Sequence, residues 1–440
     1  MNNYDTSTSF SSNEFFLGIV ITVLALVIIA GLCVYCWAKK RKPLPSKAVP
    51  LASLLKGQAN LPTYDEFMKL PKYEDDIIKH YTTCHGTRYN QTGFLNLIPE
   101  NLPFDHNRVK LDSQIFNKLF DDDCDYINAS WHSNSFHHEF SSPNYWKFAS
   151  PNEEIIDTTY PPYQKIQFVI GQDPIPTTKL HHIRLIVEHQ IDVVVSLSDK
   201  MVDRTIVDRT ATLVDKDGTT TIFNRVYLDI LNRREMKMIC NESLLREEIN
   251  AMATFPGGPR KLHNFVYFDV GCFSPDWMYP DFATTSDIEK MVQSICSVRE
   301  ELKHIKSFPN IFVHDSRGGV QGASLFVLLY KLMQQIDEGV TEGGQIKQGM
   351  ENLDVASAVN WLRKDRKNAI EDFGTYHGLL RCLNYYGLNR NTILQNTPNK
   401  MIDRFRKDVD RKATGNPTIN ATTKEENGGI EYVSYNDTNE

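Results

Sequence analysis

The segment FPNIFVHDSRGGVQGASLFVLLYKL (308–332) holds the residues whose order could do chemistry. A short apolar strand ends at Val313. The run His314, Asp315, Ser316, Arg317, Gly318, Gly319, Val320, Gln321, Gly322 follows, and an apolar helix begins at once. Strand, glycine-bearing loop and helix N-terminus together make an anion cradle: backbone N–H groups converge, and the helix end adds a favourable partial charge. Taken alone the pattern is weak, because glycines often do no more than turn a chain.

Such a loop needs an α/β or α+β scaffold with one core. Strand candidates are QKIQFVI (164–170), IDVVVSLS (191–198), HNFVYFDV (263–270) and NIFVHD (310–315), while HIRLIVEH (182–189) reads equally as a strand or as the end of a helix. The C-terminal half is helical. SDIEKMVQSICSVREELKHI (286–305) places Ile288, Met291, Val292, Ile295, Val298 and Leu302 on one face. ASLFVLLYKLMQQIDEG (323–339), LDVASAVNWLRKD (353–365) and YHGLLRCLNYYG (376–387) complete it.

The 440 residues are 41% hydrophobic and 23% charged, which suits a folded protein. A formal net charge of -7 gives no general electrostatic case for nucleic-acid binding. The 8 cysteines lack paired metal-ligand spacing; Cys33 and Cys36 are close but have no further ligands, so neither metal nor cofactor is expected.

Residues Phe15 to Ala38, FFLGIVITVLALVIIAGLCVYCWA, carry no charge and are followed by Lys39, Lys40, Arg41 and Lys42. A helix of that length rises about 36 Å at about 1.5 Å per residue, enough for a hydrocarbon core of about 30 Å. The first 14 residues have no Lys or Arg to form the basic start of a signal peptide. The expectation is an uncleaved single transmembrane helix with its basic flank inside. The expected organisation is a short outside N-terminus (1–14), a transmembrane helix (15–38), a juxtamembrane linker (39–64), a folded domain (65–392) and a polar, disordered tail (393–440). The expected location is a membrane, by default the plasma membrane, with the domain cytoplasmic.

The loop resembles the signature loop of receptor-type-like protein tyrosine phosphatases, Val-His-Cys-Ser-x-Gly-x-Gly-Arg-[Ser/Thr]-Gly. His314, Ser316 and Gly318 match. Asp315 stands where the nucleophilic cysteine belongs, Val320 replaces the second glycine, and Gln321 stands where the phosphate-gripping arginine belongs. Further landmarks occur in the family's order: LPFDHNRV (102–109), DYINAS (125–130), QDPIPTT (172–178), Tyr279-Pro280-Asp281-Phe282 in place of the mobile Trp-Pro-Asp loop, and VNWLRKDR (359–366). The resemblance covers roughly residues 65–390. It implies a highly twisted central mixed β-sheet flanked by helices.

The resemblance also implies a loss of activity. The family's chemistry runs through a thiolate that attacks phosphorus, and Asp315 has no sulfur to offer. Gln321 lacks the charged bidentate fork of arginine; Arg317, inside the loop, is the one available substitute. Ile98 stands where a substrate-stacking tyrosine would lie, and Glu371-Asp372-Phe373-Gly374-Thr375 stands where water-positioning glutamines would lie. Asp281 matches the general acid, in competition with a register on Asp276 and with a plain reading as a loop aspartate. The expectation is an inactive, membrane-anchored pseudophosphatase acting as a scaffold or regulator in tyrosine phosphorylation signalling, with Asp315, Gln321, Asp281 and Glu371 as degenerate positions. Its groove, His314 to Gly322 with Ile98, would hold a protein partner such as a tyrosine-containing segment of a kinase or its substrate. The alternatives are a phosphatase with residual or atypical activity, or a phosphotyrosine-binding module without turnover.

Overall fold

The computed structural model describes residues 48–70, most of 81–88, 95–111, 124–132, 166–175, 177–197, 221–223, 226–237, 243–255, 258–270, 285–305, 309–341 and 343–396. Ile21, Leu26, Ile28, Ile29 and Gly31 are described singly. The strands are β1 (Val49–Pro50), β2 (Arg108–Lys110), β3 (Tyr126–His132), β4 (Gln167–Gln172), β5 (Ile191–Ser196), β6 (Thr221–Phe223), β7 (Val226–Lys237), β8 (Ser243–Phe255), β9 (Gly258–Asp269), β10 (Asn310–Asp315) and β11 (Asn352–Leu353). The helices are α1 (Leu51–Leu55), α2 (Tyr64–Met68), α3 (Lys179–Glu188), α4 (Thr285–Leu302), α5 (Gly322–Gly339), α6 (Val355–Asp365) and α7 (Phe373–Asn396).

Nine of the described strands form one mixed sheet in the order β2-β3-β4-β10-β5-β9-β8-β7-β6. Strand β10 lies parallel to β4 and β5, with Val313 opposite Ile170 and Val195. Its Ile311, Phe312 and Val313 are wholly buried. A strand covered on both faces reads as a continuous apolar run, which is why NIFV stood out. One core layer joins β10 to α4, α5, α6 and α7 through Val313, Met291, Phe326, Leu362 and Leu383. The other joins it to α3 through Phe312, Ile183 and Ile186. The expected α/β fold with a mixed sheet between helices is therefore present.

The ambiguous segment 182–189 belongs to α3. Every residue from His181 to Val187 is buried, so the helix shows no polar face by which to read its period. The long antiparallel β7 and β8 had no counterpart in the sequence reading. β7 runs DILNRREMK from Asp229, a half-exposed stretch too polar to read as a strand.

The expected transmembrane helix is corrected. Among the described residues no helix is long and apolar enough to cross a membrane. The 15–38 stretch lies almost wholly outside the described residues, and hydropathy alone measures a transfer preference, not a placement. The single-pass topology, the plasma-membrane location and the membrane-embedded partner all rested on that helix and fall with it.

Residues 49–70 are part of the folded structure, although the sequence reading began the domain at 65. Val49 pairs with Leu353, Leu51 and Leu54 are buried, and Ala59 exchanges two backbone hydrogen bonds with the Asn384 side chain at 3.0 and 2.9 Å. α2 starts on a complete capping box between Thr63 and Glu66.

Candidate functional site

Strand β10 carries His314 and Asp315 at its C-terminal end, in the middle of the sheet, where Asp315 sits opposite Gln172. The chain then turns through Gly318 and Gly319, whose φ values of 74° and 81° favour glycine, which has no Cβ. A Cβ at Gly319 would also lie 2.9 Å from Ile170 Cγ2 and 3.0 Å from the Gly171 carbonyl. α5 begins at Gly322.

Asp315 is 2% exposed. Its carboxylate accepts backbone N–H bonds from Arg317 at 2.9 Å, Gly319 at 2.6 Å and Ala323 at 2.8 Å. Three backbone N–H groups thus converge on the loop's own side chain. Burial raises the Asp315 pKa, and the Asp173 charge adds to this; the bonds from Ala323, Gly319 and Arg317 oppose it.

A polar layer holds the loop from outside. The fully buried Arg366 donates to the Gly318 carbonyl, to Asn128 Oδ1 at 2.6 Å, to Ser130 Oγ at 3.0 Å and to the Asn101 carbonyl at 3.3 Å. Burial lowers its pKa to about 10, so it stays a cation at neutral pH. Asn101 Nδ2 donates to the Arg317 carbonyl at 2.9 Å. Ser324 Oγ donates to the Gly319 carbonyl at 2.6 Å, and Ile370 N donates to the Val320 carbonyl at 2.8 Å. Behind the loop, His314 Nδ1 meets Asp173 Oδ1 at 2.6 Å.

Ile98 is half-buried in the segment 95–101. Gln172 anchors that segment by donating to the Leu95 carbonyl at 2.7 Å and accepting from Leu97 N at 2.9 Å. Gln321 is engaged by another side chain of the chain itself. Its Nε2 donates to Asp372 Oδ2 at 3.1 Å, and Asp372 also accepts from Thr375 N and Oγ1, each at 2.7 Å, as the cap of α7. Glu371 is exposed, and partial desolvation followed by the Asp372 charge raises its pKa. The loop residues His314 to Gly322, Glu371 and Asp372 are therefore placed around one site, while Asp281 lies outside the described residues. Among the described residues no group of three or more His, Cys, Asp or Glu could hold a metal ion.

Arg366, Asn101, Asn128 and Gln172 were missed as site residues. A signal existed: each is a polar residue within or beside a family-like run (VNWLRKDR, LPFDHNRV, DYINAS and QDPIPTT), yet is buried in the fold.

The family description protein-tyrosine phosphatase matches residues 95–385, two thirds of the chain. The chain belongs to the protein-tyrosine phosphatase family. No curated protein matches it. The match is consistent with phosphatase activity in relatives and favours the phosphotyrosine-directed alternatives over the membrane-anchored scaffold, which lost its anchor above.

Proposed function

We propose that this domain is a catalytically degenerate tyrosine phosphatase whose resting state neither hydrolyses phosphotyrosine nor docks it in the loop. One observation carries the reading: a buried carboxylate stands at the nucleophile position and accepts three of the loop's N–H groups. A phosphate dianion arriving there meets a like charge and donors already in use. Replacing the phosphate-binding arginine by Gln321, which is turned to Asp372, removes charge-assisted bonds of about 1.5–3 kcal/mol each.

A second reading, phosphotyrosine binding or residual turnover, is favoured by Arg317. It is half-buried in the loop, and its positive charge acts on Glu371 at the rim. The 440-residue chain incubated with a phosphotyrosine peptide decides between them through phosphate release and peptide binding. We expect neither above the level of a protein-free control. Release that disappears in Asp315→Ala would establish atypical catalysis, and tight binding without release would establish a binding module.

A further inference from the structure

We propose that the cleft between residues 48–70 and helices α6 and α7 is a binding site for a small amphipathic carboxylic acid. The proposal goes beyond the phosphatase reading and does not depend on the state of the loop after β10.

The cleft has a volume of about 370 Å3, and no residue from His314 to Gly322 lines it. Sites for small molecules run from about 300 to 1,000 Å3. Its frame is fixed at three points. Val49 pairs with Leu353, the Asn384 side chain clasps the Ala59 backbone, and the Thr63–Glu66 capping box starts α2. The wall is therefore formed before any ligand arrives, and binding need not order it. Val49, Pro50, Leu61, Pro62, Leu70 and Leu380 give that wall its apolar surface. Leu61 is still 41% exposed, so it is apolar area that an occupant would take from water.

The polar groups in the wall select the other end of the ligand. Tyr376 lines the cleft and is 7% exposed, yet its hydroxyl makes no hydrogen bond among the described residues. Buried polar groups are ordinarily paired. Its ring packs on Phe67, with centroids 5.8 Å apart. The largest charge acting on the hydroxyl is that of Glu66, another lining residue, which sets it on the cleft's side of the ring. Burial, then the Glu66 and Asp354 charges, push the Tyr376 pKa up to about 12, so it is a neutral O–H donor at neutral pH. Ser53 Oγ in the same wall also has no partner among the described residues. Lys69 lies at the exposed side and makes no ion pair among the described residues. Glu66 is the one carboxylate of the wall, and its Oε2 accepts from Thr63 N at 2.9 Å. Unused donors with one cation call for an acceptor bearing one negative charge. A dianion would be repelled by Glu66 with a single ammonium to offset it. A carboxylate on an aliphatic or aromatic body meets both the donors and the apolar wall.

Titration of the 440-residue chain with decanoate and with 3-phenylpropanoate tests this, with decanol as the uncharged control and hydrogen exchange followed in the same samples. One saturable site with a Kd below about 1 mM is expected, with added amide protection at 51–59. Tyr376→Phe, which keeps the ring, should weaken binding about tenfold, the scale of one buried hydrogen bond to a charged group. Lys69→Met should weaken it only about threefold, because its ion pair is exposed. Ala356→Leu adds bulk to the α6 side of the cleft and should abolish binding. Tighter binding of decanoate would assign an aliphatic body, and of 3-phenylpropanoate an aromatic one. The proposal is overturned if neither acid binds saturably, or if decanol binds as tightly as decanoate. It is also overturned if Tyr376→Phe binds like wild type, whether or not Ala356→Leu keeps its near-UV circular dichroism, because the acid would then lie elsewhere on the chain.

Discussion

Two buried cations show how single residues set the energetics around the site. Arg366 spans four acceptors from three parts of the chain. Arg366→Met would strand those four neutral acceptors, and each buried polar group left unsatisfied costs about 1–3 kcal/mol. Urea unfolding should show a loss of that order, and a loss near zero would mean that water replaces the guanidinium. Lys331 on α5 lies 4.3 Å over the Trp361 ring, near the pair of buried His132 and half-buried Asp365. Burial lowers its pKa to about 7, with Asp365 opposing. Its unfolded value is about 10.4, so between about pH 7 and pH 10 the unfolded chain binds more protons and stability rises with pH. Lys331→Met should raise the urea midpoint near pH 7 and flatten that rise. A variant that is less stable at every pH would show instead that the ammonium on the Trp361 ring is a net stabiliser.

Elements were legible where a segment's own pattern agreed with its place in the fold. NIFVHD reads as a buried strand because β10 is covered on both faces, and the glycine pair after it reads as a turn because both residues have positive φ. β7 was illegible because its half-exposed, charged residues are held as a strand by pairing with β8 along its length, a tertiary effect that local preference does not report. The bonding of Asp315 was half legible. The glycines and the carboxylate could be read, but the three N–H groups that Asp315 accepts depend on the loop's path. Gly319→Ala tests that path. It forces a left-handed Cβ against Ile170 and the Gly171 carbonyl, a strain of about 1–3 kcal/mol. The expected result is a lower urea midpoint with selective loss of amide protection at Arg317, Gly319 and Ala323 in hydrogen exchange; unchanged protection there would show that the loop tolerates a different turn.

At the scale of the whole molecule, the difference between the sequence reading and the structure lies in where the domain begins. A stretch with Pro43, Pro45, Pro50, Gly57 and Pro62 reads as a linker because those residues break regular elements. Yet α1 is only five residues long, and Pro50 and Gly57 lie just outside its two ends, where they do no harm. What holds the segment is burial: Leu51 is 3% exposed and Leu54 is wholly buried, both within the same core as α4 to α7. Gly387 of α7 also lets the Leu54 backbone approach so closely that any side chain at that position would collide with the Leu54 carbonyl. Burying a leucine is worth about 1.5–3 kcal/mol, so this segment contributes roughly 3–6 kcal/mol from Leu51 and Leu54, against a typical net stability of about 5–15 kcal/mol. A chain beginning at residue 65 should therefore be markedly less stable to urea than one beginning at residue 48. Gly387→Ala in the longer chain should reproduce much of the deficit, with amide protection lost at 51–59 before the central strands. If the two chains unfold at the same midpoint, residues 49–64 lie on the domain without stabilising it, and the linker reading would be the better physical description.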